Sequence, residues 1–357
     1  VRLEHLWLTD FRSYPTAELH LDEGLTAIVG DNGQGKTNLL EAIGFLATLS
    51  SFRGAPTEAL VRAGTTQAIV RAEGWRDGRS LLIEAEINAT GRNRVQVNKQ
   101  RLQRTRDLLG ALRVSVFSPD DLIMVKGGPG ERRRYLDDTL VAADPHRDAM
   151  LRELDRVLKQ RNALLRQSGG RLSADIETTL DVWDAKFAVV GDDLARARRE
   201  LVAALAPRLT EAYQQVAQRP DPVTLHYAPT WADAGLSHAL AAGRRDDLRR
   251  GVSLIGPHRD DVELRLAGLP ARTHASQGEQ RSLALALRLA AHALVSDAAG
   301  SAPVLLLDDV FSELDPQRSD ALVACLPPGQ AVLTTAAGLP AGIEPGRIIR
   351  IQGHAIT

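Results

Sequence analysis

Apolar and polar positions change rhythm twice along the chain. At the amino end, Leu3 to Thr9 and Leu25 to Val29 are short apolar runs of strand length. Ile69 to Trp75, Ser80 to Ile87 and Arg94 to Asn98 predict a strand meander, with a turn at Asn88-Ala89-Thr90-Gly91. Among them one helix is predicted from about Lys36, because Leu39, Leu40, Ile43, Leu46 and Ala47 recur at helical spacing. From about residue 120 to 250 the rhythm is helical throughout. Met150, Leu154, Val157 and Leu164 share one stripe. Ile176, Leu180, Trp183, Phe187, Val190, Leu194, Ala197 and Leu201 alternate steps of four and three, a heptad-like seam. Ser168-Gly169-Gly170 marks a turn between the two helices, and Pro207 is expected to end or kink the second. These stripes are read as packed core.

Beyond about residue 250 strands and helices alternate again. Val262 to Leu266 alternates as a strand, and Glu279 to Val295 predicts a helix. Val304 to Leu307 is a continuous apolar strand, the mark of a sheet covered on both faces. Ala331 to Thr335 and Arg347 to Ile351 complete the set. The expected architecture is one discontinuous α/β domain, residues 1–118 and 251–357, with a helical domain over 119–250 between its halves.

Composition narrows this picture. The chain has 357 residues, enough for two domains or for one core with a large insertion. A formal net charge of −1 excludes a global basic field, so any nucleic-acid contact must come from local patches. The single cysteine, Cys325, cannot close an internal disulfide and fits a reducing compartment. No apolar run approaches the roughly 18 residues expected of a membrane span. Val1 to Leu6 lacks the layout of a signal peptide. The expectation is a cytoplasmic protein with no membrane partner.

Three motifs carry chemistry. The first is Gly30-Asp31-Asn32-Gly33-Gln34-Gly35-Lys36-Thr37, a complete phosphate-binding loop set between a strand and a helix. Its glycines let backbone N–H groups turn inward, and the helix that follows adds its own free N–H groups and dipole. Lys36 is placed to neutralise β- and γ-phosphate charge, and Thr37 to offer a hydroxyl to Mg²⁺. The second is Asp308-Asp309 at the end of the buried strand: Asp308 for the metal, Asp309 to orient or deprotonate water. The third, Ser276-Gln277-Gly278-Glu279, taken alone reads as a capping box, and the same geometry can serve as an anion site at a helix start.

Together with Ser312-Glu313-Leu314-Asp315, these motifs appear in the order of the ATP-binding cassette plan. The chain resembles its SMC-like DNA-repair branch and, within it, the RecF family of bacterial recombination-repair proteins. The matching segments span nearly the whole chain. They are Leu8 to Tyr14, Gly30 to Ile43, Lys126-Gly127-Gly128-Pro129 with Arg132-Arg133-Arg134, Gly256 to Asp261, Ser276 to Arg281 and Leu305 to Asp315.

The resemblance implies an ABC-type P-loop ATPase head with an inserted α-helical domain. It implies ATP and Mg²⁺ as cofactors, held by Gly30 to Asn38 with Asp308, and Asp309 serving the hydrolytic water. Ser276, Gln277 and Gly278 would cap the γ-phosphate of a partner subunit in a twofold homodimer, with Asp315 lining the interface. It further implies DNA at gaps or single/double-strand junctions, and RecO, RecR and RecA as partners.

Two departures from transport ATPases imply slow hydrolysis. Asp309 replaces the usual Glu, and Val332-Leu333-Thr334-Thr335-Ala336 holds no switch His. Thr334 or Thr335 is a candidate γ-phosphate sensor. The same departures weigh against a rival, the nucleotide-binding subunit of a transporter. Asp308 and Asp309 weigh against another, a clamp that never turns ATP over. Lys126 with Arg132, Arg133 and Arg134 is the candidate DNA-backbone contact, against the alternative of a solvated helix face. Further basic clusters lie at Arg196-Arg198-Arg199 and at Arg244-Arg245 with Arg249-Arg250. His258 beside Asp260 and Asp261 reads as a structural or nucleotide-communicating loop.

Overall fold

The alternating segments at the amino end form an antiparallel sheet. The structure, a computed structural model, describes residues 1–336 and 338–356. β1 (Arg2–Phe11) and β2 (Tyr14–His20) make a hairpin, and β3 (Leu25–Val29) leaves it and leads to α1 (Lys36–Thr48). β4 (Gln67–Arg76), β5 (Arg79–Asn88), β6 (Arg94–Val97) and β7 (Gln100–Arg101) extend the hairpin in the order β2-β1-β4-β5-β6-β7. β8 (Val114–Phe117) follows. One face of this sheet is core: Leu6, Leu8, Leu19, Val70, Ala72, Ile83 and Ala85 are all buried.

Strict alternation would send Leu3 and Leu6 to opposite faces. Both are buried, because the register of β1 against β4 shifts between Leu3 and His5. Leu3 lies opposite Gly74 and His5 opposite Glu73, so Glu4 is the extra residue of a β-bulge. Gly74 permits the close approach there, since a Cβ would sit 1.9 Å from the Arg2 carbonyl oxygen.

Helices dominate the middle of the chain. They are α2 (Ile123–Lys126), α3 (Pro129–Ala143), α4 (Arg147–Gln167), α5 (Ala174–Ala217), α6 (Leu236–Arg250) and α7 (Ala271–His274). Three short strands, β9 (Val223–Tyr227), β10 (Val262–Leu266) and β11 (Leu269–Pro270), form a small antiparallel sheet in the order β11-β10-β9. The predicted hairpin turn at Ser168 to Gly170 joins α4 to α5. Pro207 does not end α5, contrary to one of the two outcomes expected of it. The buried stripe Leu201, Leu205, Leu209 runs straight through that position. The packing of that stripe outweighs the one backbone hydrogen bond that proline removes.

The ends of α4, α5 and α6 are tied by a buried ion network. Arg161, wholly buried, donates to Asp184 (2.6 Å), Asp247 (2.7 Å) and Ser253 Oγ (2.8 Å). Leu165, Leu180 and Leu248, one from each of the same helices, form a small buried apolar cluster.

The α/β rhythm at the carboxyl end gives α8 (Gln277–Ala299), β12 (Val304–Asp308), α9 (Pro316–Ala324), β13 (Ala331–Thr335), β14 (Arg347–Gln352) and β15 (Ala355–Ile356). These strands complete a second sheet in the order β15-β14-β3-β13-β12-β8, parallel from β14 to β8. Every residue of β12 is buried. Among the described residues one helix, α8, is long and apolar enough to cross a membrane by length and composition, contrary to the expectation from the sequence. Leu283, Ala286, Leu287 and Ala290 of α8 are buried in the protein.

The chain divides into two compact units. One comprises Val1–Leu122, Glu211–Pro220 and Arg281–Thr357; the other comprises Ile123–Thr210 and Asp221–Gln280. This differs from the boundary at 250 drawn from the sequence. Pairing of β9 with β10, Val223 opposite Leu266 through Tyr227 opposite Val262, joins the segment after 250 to the helical unit.

Candidate functional site

The phosphate-loop residues form the connection from β3 to α1. Gly33 and Gly35 take positive φ (81° and 95°), which turns the loop back on itself. Gly35 is also a packing requirement. A Cβ there would lie 2.9 Å from the Tyr14 hydroxyl and 3.0 Å from Ser13 Oγ. At Gly30 a Cβ would meet the Ile351 carbonyl oxygen at 2.5 Å. Asp31, Asn32 and Gly33 are exposed at the tip, and Gln34 Oε1 accepts from the Gly353 backbone N–H (2.7 Å). Asn38 anchors the helix start by donating to Ser13 Oγ (3.0 Å).

Lys36 is buried, and its ammonium donates to the carbonyls of Gly30 (2.6 Å) and Asp31 (2.8 Å). Burial pulls its pKa down, and the charges of Asp309, Asp308 and Asp31 oppose that shift. Three carboxylates therefore act on this one cation.

The parallel sheet brings the acidic strand to the loop. β13 lies between β3 and β12 and pairs with both, so the carboxyl ends of β3 and β12 open on the same edge. Thr37 Oγ1 donates to Asp308 Oδ1 at 2.8 Å, and Thr334 Oγ1 of β13 donates to the same oxygen at 2.8 Å. Burial raises the Asp308 pKa, while these two hydroxyls hold it back. Asp309 has left-handed backbone (φ 48°), and its N–H donates to Thr334 at both the side-chain hydroxyl (3.0 Å) and the carbonyl (3.2 Å). Its Oδ1 is buried without a hydrogen-bond partner among the described residues. The Thr37 hydroxyl and the buried Asp308 carboxylate offer the oxygen donors that suit a hard divalent cation beside a phosphate.

Glu313 and Asp315 follow. Asp315 caps α9 by accepting from the Arg318 N–H (2.9 Å), which lowers its pKa, and it pairs with the Arg318 guanidinium. Glu313 pairs with Arg281 (3.1 Å).

Ser276, Gln277 and Gly278 belong to the other unit. Ser276 Oγ and N–H both donate to Glu279 Oε2 (2.8 and 2.7 Å), and the Glu279 N–H returns a bond to Ser276 Oγ (3.3 Å). This is the capping box read from the sequence. Ser276 and Gln277 are exposed.

The basic triplet is largely engaged within the protein. Arg132 forms a two-bond fork with Asp261 (3.0 Å each), and Arg133 donates to the Asp260 carbonyl (2.6 Å). Arg134 is exposed and pairs with Glu131 (3.1 Å), and Lys126 is exposed. Asp260 accepts from Tyr227 (2.7 Å) and Trp231 (2.9 Å), and His258 Nε2 lies 3.0 Å from the Ser253 carbonyl. That segment is a packed, hydrogen-bonded loop.

Some contributors were not legible in the sequence. Thr334 had been considered only as a phosphate sensor, yet its hydroxyl joins both aspartates. Arg12, in left-handed conformation, grips the fully buried Glu41 through two bonds of 2.7 Å and ties the first hairpin to α1. Nothing in the spacing of Arg12 and Glu41 announces this pair.

The parallel sheet, its phosphate loop and the acidic strand two positions away define a P-loop nucleotide-binding head of the SMC type. Residues 2–332 match the RecF/RecN/SMC N terminal domain family. A protein of Streptomyces avermitilis described as DNA replication and repair protein RecF is 46% identical over 94% of each chain. A solved structure of the recombination mediator protein RecF-ATP in the RecFOR pathway superimposes with a TM-score of 0.91. It is 28% identical and covers 100% of this chain and 97% of that one. The Smc head domain from Pyrococcus furiosus shares the fold alone, with a TM-score of 0.58 at 18% identity over 99% of this chain and 95% of that one. The chain belongs to the RecF family of DNA replication and repair proteins.

Proposed function

We propose that this chain binds ATP with Mg²⁺ at Gly30 to Asn38, dimerises through the bound nucleotide, and so clamps DNA during recombinational repair. The observation that supports this most directly is the junction of Thr37, Asp308 and Thr334 on one carboxylate oxygen, with the Asp309 N–H bonded to the same Thr334 hydroxyl. The backbone N–H groups of the loop and the first turn of α1 cradle the phosphates. Lys36 exchanges its two carbonyl partners for phosphate oxygens. Mg²⁺, when bound, neutralises phosphate charge. Thr37 and Asp308 would hold it.

Asp309 orients water and accepts its proton at the unpartnered oxygen. Its short side chain and the absence of a His on β13 support slow hydrolysis. Ser276, Gln277 and Gly278 cap the γ-phosphate of a second copy. ATP then favours the closed dimer because it touches both copies only in that state. The segment over 119–250 serves as an arm, and Lys126 and Arg134, the exposed members of its basic cluster, meet DNA phosphates. The clamp acts in the cytoplasm at gaps or single/double-strand junctions, with RecO and RecR, toward RecA.

The test is sedimentation with ATP and Mg²⁺ together with phosphate release on DNA. Wild type dimerises and releases phosphate slowly; Ser276→Arg stays monomeric and Lys36→Ala releases none. Equal dimerisation of wild type and Ser276→Arg would overturn the shared site. Release no greater than that of Lys36→Ala would overturn hydrolysis.

A further inference from the structure

We infer that the outer face of the amino-terminal sheet carries a zinc-class metal site formed by His5, Glu18 and His20. Their ligand atoms all lie within 4.8 Å of one another, and His5 Nε2 is 2.8 Å from Glu18 Oε1. The hairpin register brings them together. His5 of β1 stands directly opposite His20 of β2, and Glu18 stands opposite Trp7, one step along the same face. The opposite face carries Leu6, Leu8 and Leu19 and is core, so these three side chains share the outer side.

The bulge at Glu4 sets this arrangement, because it lets Leu3 enter the core while His5 keeps its place beside Trp7. The His5 ring stacks on Trp7 at 3.8 Å and 26°, and His20 lies 3.8 Å from His5. The Arg71 guanidinium lies over the Trp7 ring, 4.7 Å from its centroid. Glu73 stands opposite His5 on β4, so two carboxylates, Glu18 and Glu73, offset the Arg71 charge on this patch.

The donors select the ion. Two imidazole nitrogens and one carboxylate suit Zn²⁺, whereas Mg²⁺ and Ca²⁺ take oxygen shells like that of the phosphate-loop site. Zinc bonds of about 2.1 Å in a tetrahedron place ligands about 3.4 Å apart. Rotation of His20 and Glu18, both exposed, closes the cluster to that spacing around a His5 already held by Trp7. A fourth position stays open to solvent. A bound ion joins β1 to β2 away from their turn. The turn itself reaches α1 through Arg12–Glu41 and Ser13–Asn38, so the ion stiffens the hairpin that supports the phosphate loop.

Full-length protein stripped with chelator and titrated with Zn²⁺ against a chromophoric zinc indicator tests this. Wild type takes up one equivalent, and Co²⁺ in its place gives the visible absorption of a tetrahedral site. His20→Ala and Glu18→Gln, both surface changes, each weaken Zn²⁺ binding by about tenfold or more. His238→Ala, an exposed His on α6, binds as wild type does. One equivalent bound by both ligand variants at wild-type affinity would overturn the site, as would no uptake by wild type at micromolar free Zn²⁺.

Discussion

Replacing Thr334 by Val tests the junction at the heart of the nucleotide site. The two side chains have nearly the same shape, so the change removes a hydroxyl and little else. Thr334 is fully buried. Its hydroxyl donates to Asp308 Oδ1 at 2.8 Å and accepts from the Asp309 N–H at 3.0 Å. The Asp309 N–H keeps its second partner, the Thr334 carbonyl, so no backbone donor is orphaned. The loss is therefore one charge-assisted hydrogen bond to a buried carboxylate, about 1.5–3 kcal/mol. If Thr334 positions Asp308 for the reaction, that energy appears as a fall of roughly 10- to 150-fold in kcat/KM for ATP. The assay is phosphate release over a Mg²⁺ titration, run beside Thr334→Ser. Thr334→Val needs more Mg²⁺ for half-maximal rate, and Thr334→Ser, which keeps the hydroxyl, stays near wild type. A Thr334→Val protein within about twofold of wild type at all Mg²⁺ concentrations refutes the reasoning. So does a Thr334→Ser protein as impaired as Thr334→Val.

Three further predictions rest on other parts of the molecule. Arg161→Met leaves the buried Asp247 without its cation and Asp184 with Arg244 alone, and urea unfolding of the helical unit should show a loss of about 3–5 kcal/mol. His292 is buried against Ser115 Oγ and its pKa is pushed down to about 4, from 6.5 in the unfolded chain. The unfolded state takes up the proton first, so stability is full above pH 6.5 and falls toward pH 4. The slope is at most about 1.4 kcal/mol per pH unit, and His292→Gln should flatten the urea midpoint across that window. Arg134→Ala should weaken DNA binding and reduce its salt slope by about one. Arg132→Ala should instead lower thermal stability through loss of the Asp261 fork, as a melting curve beside a salt titration will show.

Much of the site was readable because its signals are local. The phosphate loop needs consecutive glycines, Lys36 and Thr37 between a strand and a helix, and that is how residues 25–48 fold. The apolar run Val304 to Leu307 announced a strand buried on both faces, and every residue of it is buried. Ser276 and Glu279 announced a capping box, and the two side chains form one. What the sequence left open concerns relations between distant positions. Pro207 is a helix breaker in isolation, but a buried stripe carries α5 through it. Arg132 and Arg133 read as part of a cluster for DNA phosphates or as a solvated helix face, and their partners Asp261 and Asp260 lie far along the chain. Residues 251–280 read as part of the nucleotide-binding half, whereas β10 pairs with β9 in the helical unit.

What the sequence determined by itself was the inventory: a phosphate loop, an acidic strand, helical stripes, and a family resemblance covering nearly the whole chain. Periodicity and motif spacing express forces acting within a few residues, so they survive being read in one dimension. Only the tertiary structure decided which oxygen of which carboxylate meets Thr37 and that Thr334 meets it too. It alone set the bulge that keeps His5 on the outer face while Leu3 and Leu6 both enter the core. Strand order and register follow from packing one whole sheet face at once, and no local stretch of the chain contains that constraint.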